Sequence, residues 1–206
     1  MLNILLVDTH KMFREGLKHI LDEKPDFKVK DEAENFREIL DKVSNNDYDV
    51  VVLDISMEDR NGIEVIKEIK DINPHLNVLA LSLDDQYAIR ALKAGASGYL
   101  TIDADATELT TAVRKISLNE KYISQKVGEQ LVNTLNGKSP KHANLSEREY
   151  QIMCMIAGGK TITDIASELA LSVHTISTFR SRILKKMMMK NNAEITYYAL
   201  KEGLVN

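Results

Sequence analysis

The sequence predicts two domains of different class: an α/β domain built on a doubly wound, five-stranded parallel sheet, followed by an all-α domain. Three observations carry this. Short β-rich runs alternate with helical periodicity over residues 1–120, the alternation then stops, and the sign of the net charge changes with it. The length of 206 residues suits a unit of about 120 residues plus a smaller one.

The strands are read as ILLV at 4–7, FKVK at 27–30, VVVL at 50–53, NVLAL at 77–81 and GYL at 98–100. Between them lie amphipathic segments with apolar residues three and four apart, such as Met12, Phe13, Leu17, Ile20 and Leu21, or Ile63, Val65, Ile66 and Ile69. Strict alternation of strand and helix implies parallel pairing with helices on both faces, and the runs at 50–53 and 77–81 are apolar throughout, as doubly buried strands are. A helix at 105–118 closes the series. VGEQLVNTL and then NGKSPKHAN follow, the latter rich in turn formers, so residues 121–143 are read as a linker that can be part helical. The rest, from 144 to 206, shows helical patterns at 145–157, 162–169, 173–188 and 192–202 and no strand-like run.

No apolar run approaches the roughly 20 residues that cross a bilayer, which excludes a spanning helix. MLNILLVD lacks a basic leader and a small-residue cleavage site, and reads as a strand. A single cysteine, Cys154, rules out an internal disulfide and a cysteine metal cluster, consistent with a reducing cytoplasm. Residues 1–140 hold 18 Lys and Arg against 25 Asp and Glu, a net of −7, whereas 141–206 hold 9 against 6, a net of +3. A polyanion contact, if there is one, belongs to the C-terminal part, because cationic side chains neutralise phosphates.

In open α/β sheets, ligands sit beyond the carboxyl ends of the strands. Here those ends carry Asp8 and Thr9, Asp54, Ser82, and Thr101 with Ile102. Aspartates ending two buried strands suit a divalent cation or phosphoryl chemistry, but aspartate is also common where a turn begins, and the residues alone leave both readings open.

LLVDTHKMFREGL, VVVLDISMEDRNG, LALS and KAGASGYL together resemble the receiver domain of two-component response regulators, a flavodoxin-like fold, over the whole first domain. The resemblance implies that Asp54 accepts a phosphoryl group from a sensor histidine kinase, with Mg²⁺ held by Asp8, Asp54 and the backbone at Ser56. It further implies that the Ser82 hydroxyl follows the phosphoryl group and that Tyr99 moves with it. Two positions depart from the pattern. Thr9 stands where a second acid is usual, and Ile102 where a lysine usually pairs with the phosphoryl oxygens; Glu58 in place of a proline is a lesser departure. A unit charge pair at 4 Å is worth about 4 kcal/mol at an effective dielectric near 20, so loss of an anion and a cation favours an atypical receiver with a weak Mg²⁺ site over a conventional phosphorylation switch. His10 is read as the start of the first helix rather than as a ligand.

The segment LSEREYQIMCMIAGGKTITDIASELALSVHTISTFRSRILKKM resembles the LuxR/NarL-type helix-turn-helix. Ser146 and Glu149 form a capping-box pattern, Gly158 and Gly159 end that helix, Thr161 opens the next, and Ala170–Leu171–Ser172 make the short turn before the recognition helix. On that helix Val173, Ile176, Ile183 and Leu184 share an apolar side expected to face the core. His174, Ser177, Thr178, Ser181 and Lys185 gather on another face, flanked by Thr175, Arg180 and Arg182. The resemblance puts that face in the major groove, with Ser177, Thr178 and Ser181 near bases and Arg180, Arg182, Lys185 and Lys160 on phosphates. The last helix, carrying Ile195, Tyr198, Ala199 and Leu200, either packs on its own domain or pairs two copies on DNA.

The function implied is that of a cytoplasmic transcription regulator, a homodimer on double-stranded DNA, answering to a kinase or another regulatory protein and free of the membrane. An enzyme has little support, since the strand ends carry no Gly-rich phosphate loop, nucleophile elbow or zinc signature. A protein-binding scaffold without DNA binding is the remaining alternative.

Overall fold

Five parallel strands form one sheet in the order β2-β1-β3-β4-β5. They are β1 (Leu2–Val7), β2 (Phe27–Ala33), β3 (Val50–Asp54), β4 (Asn77–Ser82) and β5 (Gly98–Thr101). The computed structural model describes residues 1–57, 61–83, 85–124, 127–129, 131–132 and 140–205. Helices α1 (Lys11–Asp22), α2 (Phe36–Asn45), α3 (Gly62–Ile72), α4 (Ala88–Lys93) and α5 (Ala106–Ser117) connect the strands and follow the last. Alternation along each strand serves two cores. Leu5, Val7, Val51, Leu53, Val78 and Ala80 face one cluster with Ile39, Ile63, Ile66 and Ile69. Ile4, Leu6, Val50, Val52, Leu79 and Leu81 face the other with Leu17, Leu21, Val113 and Ile116. A sheet apolar on both faces needs helices on both, which is why these strands read as uninterrupted apolar runs.

β2 extends three residues beyond the expected FKVK, through Asp31, Glu32 and Ala33. Its charged tail hid it, and charge on an edge strand guards the exposed edge against pairing with another chain. The register with β1 shifts between Ile4 and Leu5, leaving Lys30 outside the Cα pairing.

The chain divides into two compact units, Met1–Val132 and Asn133–Asn206. The first therefore runs past the expected end at residue 120, because Tyr122 bridges to Gly98 beside β5 and Val127 is buried in the first core. Residues 127–129 and 131–132 are helical. The second unit holds α6 (Glu147–Ala157), α7 (Ile162–Glu168), α8 (Val173–Met187) and α9 (Asn192–Lys201), packed around Tyr150, Ile152, Met153, Ile165, Ile176, Ile183, Met187, Ile195 and Ala199. No helix among the described residues is long and apolar enough to cross a membrane.

Six helices close in one way. After α4, α5, α6, α7, α8 and α9 a residue with positive φ follows: Gly95, Asn119, Gly159, Ala170, Met188 and Gly203. In each case its amide reaches back three residues and the next amide five, as Ala170 to Ser167 and Leu171 to Ala166, or Met188 to Lys185 and Met189 to Leu184. These are Schellman closures, which satisfy the last carbonyls of a helix. Glycine suits the left-handed position; Ala170 and Met188 occupy it against the clash between Cβ and the following carbonyl.

Candidate metal centre and nucleic-acid interface

Strand order reverses between β1 and β3, and the crevice beyond their carboxyl ends is where such a sheet binds ligands. Register pairs Val7 with Leu53, so Asp8 and Asp54 lie side by side in that crevice. Both are buried. Asp8 is fully buried at 0% exposure; its Oδ1 accepts the His10 amide at 2.6 Å, while its Oδ2 has no hydrogen-bond partner among the described residues. Asp54 Oδ1 accepts the Ser56 amide at 2.8 Å. Burial pushes the Asp54 carboxyl above its ordinary value; the Ser56 amide opposes that shift and the charge of Asp8 adds to it.

Arg14, buried beside this crevice, is committed elsewhere. Arg14 donates to the Asp8 backbone carbonyl at 2.8 Å, to Glu32 Oε2 at 2.8 Å and to Glu34 Oε1. Among the described residues the pair of acids is thus short of positive charge, and a buried carboxylate oxygen without a donor is what a hard cation satisfies. Asp8, His10 and Asp54 offer ligand atoms that all lie within 4.8 Å of one another. The donor set fits a divalent ion.

His10 is the N-cap of α1, as expected, yet its side chain makes no cap. Its Nδ1 instead lies 3.2 Å from Asp8 Oδ1, the feature that helix-start reasoning set aside. Spacing could have found it, since a residue two after the strand-end acid begins the turn that folds back over the pocket. Thr9, partly exposed, brings its hydroxyl to within 3.4 Å of the same nitrogen. Ser56 is exposed, Ser82 and Tyr99 are buried at the ends of β4 and within β5, and the Ile102 amide donates to the Ser82 carbonyl at 2.9 Å with its side chain 41% exposed. Glu58 lies outside the described residues.

In the second unit the Ser146 hydroxyl and Glu149 complete a capping box on α6, Thr161 and Asp164 another on α7, and Ser172 caps α8 through the Thr175 amide. α8 turns Ile176, Ile183 and Met187 inward. Val173 does not join them: it is 49% exposed, because a side chain at the first helical position leans toward the open turn before it rather than over the core. Leu184 is only half-buried, and Met187 completes the stripe instead.

The outward face holds the expected polar residues, with their hydrogen bonds now specified. His174, Ser177, Ser181, Arg182 and Lys185 are exposed. Thr178 donates its hydroxyl to the His174 carbonyl at 3.0 Å and Ser181 to the Ser177 carbonyl at 3.0 Å. Thr175 is engaged with Ser172, and half-buried Arg180 donates to Asn192 Oδ1 at 2.6 Å, tying α8 to the start of α9. Lys160 pairs with Glu168. Of the cations named from sequence, Arg182 and Lys185 are exposed on this face and have no ion pair among the described residues.

Comparison with known proteins agrees with both halves. Residues 4–114 match the response regulator receiver domain, and residues 143–199 match the luxR family of bacterial regulatory proteins. Response regulator UvrY of Escherichia coli K12 is 32% identical over 212 residues, covering all of this chain and 97% of that protein. The transcriptional regulatory protein LiaR of Bacillus subtilis 168 is 33% identical over 211 residues, covering all of both. Among solved structures, RcsB of Salmonella enterica serovar Typhimurium, bound to a promoter in the presence of phosphomimetic BeF3⁻, superposes with a TM-score of 0.70 at 25% identity over 96% of this chain and 97% of that one. Fold, pocket and sequence together place this chain in the family of response regulators whose receiver domain is followed by a LuxR-type regulatory domain.

Proposed function

We propose that the chain is a cytoplasmic transcription regulator that binds double-stranded DNA as a homodimer through its second unit, under an atypical receiver whose Asp54 is phosphorylated slowly or not at all. The observation carrying the receiver half is the pair of buried carboxylates, Asp8 and Asp54, with an unsatisfied Asp8 Oδ2 and a half-exposed Ile102 where the family resemblance calls for a cation. In this reading the receiver spans 1–120 and the LuxR-type domain 144–206, with Tyr122 and Val127 of the connection over 121–143 packed onto the receiver.

Asp8, Asp54 and the backbone at Ser56 would hold Mg²⁺, which when bound would offset the charge of an incoming phosphoryl group. Asp54 would take that group on a carboxylate oxygen, and Ser82, at the end of the adjacent strand β4, would follow it with its hydroxyl. Thr9 adds no charge to the metal side, and Ile102 none to the phosphoryl side, so the acceptor works with one anion and one cation fewer. A sensor histidine kinase, or another regulatory protein bound to the receiver, would supply the signal.

On the DNA half, α8 would lie in the major groove with Ser177, Thr178 and Ser181 toward bases, and Arg182, Lys185 and Lys160 toward phosphates. Tyr197 and Leu200, exposed on α9 at 71% and 53%, supply apolar surface for a second copy. The likeness to a promoter-bound RcsB supports this half.

Incubation of the full chain with acetyl phosphate and Mg²⁺, followed by intact mass with Asp54→Ala beside it, tests the receiver. No adduct, or one forming over hours, fits the atypical reading; full conversion within minutes, lost in the variant, makes this a conventional switch.

A further inference from the structure

Thr9 removes a carboxylate from the rim of the pocket, and the structure puts an imidazole where the missing ligand would be useful. His10 Nδ1 stands 3.2 Å from Asp8 Oδ1. Two ligands bound to one ion at about 2.1 Å, and roughly 90–110° apart, stand about 3.0–3.4 Å from each other. The two atoms are already spaced as neighbours in a coordination shell. Asp54 brings the third ligand atom within 4.8 Å of both. Asp8 Oδ2, fully buried and without a hydrogen-bond partner, is an independent sign that the cluster is built for an ion. The His10 side chain is 68% exposed and caps nothing; its Nδ1 is held inward by the hydrogen bond to Asp8 Oδ1, a contact that an ion bound by both groups would replace.

We infer that His10 is a metal ligand and that this pocket selects a nitrogen-accepting first-row divalent ion, such as Mn²⁺, over Mg²⁺. This deepens the reading of the pocket as a weak Mg²⁺ site and rests on it. Mg²⁺ demands oxygen donors and keeps its waters, whereas imidazole suits the transition ions, whose affinities rise along the series from Mn²⁺. A set of two carboxylates and one imidazole discriminates where three carboxylates would not. Thr9 keeps its hydroxyl 3.4 Å from Nδ1 and supplies no charge to reverse that preference.

The test uses the metal-free full chain titrated with Mn²⁺, free ion being read by its electron paramagnetic resonance signal, with Mg²⁺ as competitor. Electron spin-echo modulation of the bound ion reports a coordinated nitrogen directly. Mn²⁺ is expected to bind at least about tenfold tighter than Mg²⁺; His10→Ala should weaken Mn²⁺ by about tenfold or more, leave Mg²⁺ within roughly threefold, and erase the nitrogen modulation. Asp54→Asn should abolish both ions, and Thr9→Asp should tighten Mg²⁺ by about tenfold. Bound Mn²⁺ without nitrogen modulation, or with modulation that survives His10→Ala, overturns the inference and leaves the weak-magnesium reading standing. Mg²⁺ binding as tight as Mn²⁺ overturns the inference, and tight Mg²⁺ binding overturns the weak-magnesium reading as well; Mn²⁺ retained in Asp54→Asn places the ion elsewhere on the surface and likewise overturns the inference.

Discussion

At the residue scale, the pocket sets charge against stability. Asp54 is buried beside Asp8, and the buried guanidinium of Arg14 is held by Glu32 and Glu34. Two close, desolvated carboxylates repel each other, so Asp54→Asn should stabilise the first unit by roughly 1 kcal/mol or more in chelator, and the gain should shrink on adding a divalent ion. Thermal unfolding with and without metal reads both effects; an unchanged midpoint in chelator would deny that the pair is strained. Glu149 shows the opposite balance. Burial alone would raise its carboxyl, but Lys186 at 2.6 Å and the amide and hydroxyl of Ser146 outweigh it and hold the group below its ordinary value. A lowered folded value means that the native state releases this proton more readily than the unfolded chain. The contribution is therefore complete above the unfolded value near 4.5 and is lost as pH falls through the lower, folded one. Amide exchange of α6 and α8 should speed up over that acid window, and Glu149→Gln should flatten the dependence. Asp8 and Asp54 were legible because an acid ending an apolar strand stands out; the Lys186 to Glu149 pair, 37 residues apart in sequence, was not, because it depends on tertiary approach, whereas the turn of His10 toward Asp8 is a contact between residues two apart that helix-start reasoning passed over.

At the scale of elements, periodicity carried most of the fold. Caps at Ser146, Thr161 and Ser172 sit where the sequence puts them, since a hydroxyl three residues before a free amide is a local arrangement. Misreadings fell where local pattern and packing part company: β2 hid its last three residues behind charge, and Val173 matched the apolar stripe of α8 yet overhangs a turn. The left-handed closures of α7 and α8 give no sequence signal, because alanine and methionine are not residues one looks for at positive φ. Met188, 81% exposed with φ 55°, is the simpler to test. Met188→Gly removes the Cβ clash and sacrifices little packing, and should raise the thermal stability of the second unit by up to about 1 kcal/mol. A decrease would mean that the side chain packs more tightly than its exposure implies.

At the scale of the whole molecule, the charge is −7 over residues 1–140 and +3 over 141–206, and the chain divides near that point into two units, Met1–Val132 and Asn133–Asn206. That division was readable in composition; the place where the first unit ends was not, because Tyr122 and Val127 join it from a segment that looks like linker. DNA binding by the second unit should show the linear loss of affinity with salt that accompanies ion release. Lys185→Ala and Arg182→Ala should each weaken binding to a mixed-sequence 30-base-pair duplex and reduce the salt slope by about one, as for a lost phosphate contact. Fluorescence anisotropy across a salt series would measure this, and slopes unchanged in both variants would remove α8 from the interface. Helix α8 also has a history open to it. It is bracketed by Ala170 and Met188, two left-handed positions held by residues that disfavour them, so the domain carries slack that glycine at either site would release. Such slack is evolvability: a lineage that took up one or both glycines could tolerate destabilising replacements on the outward face of α8, and so drift toward new promoters without passing through an unfolded intermediate.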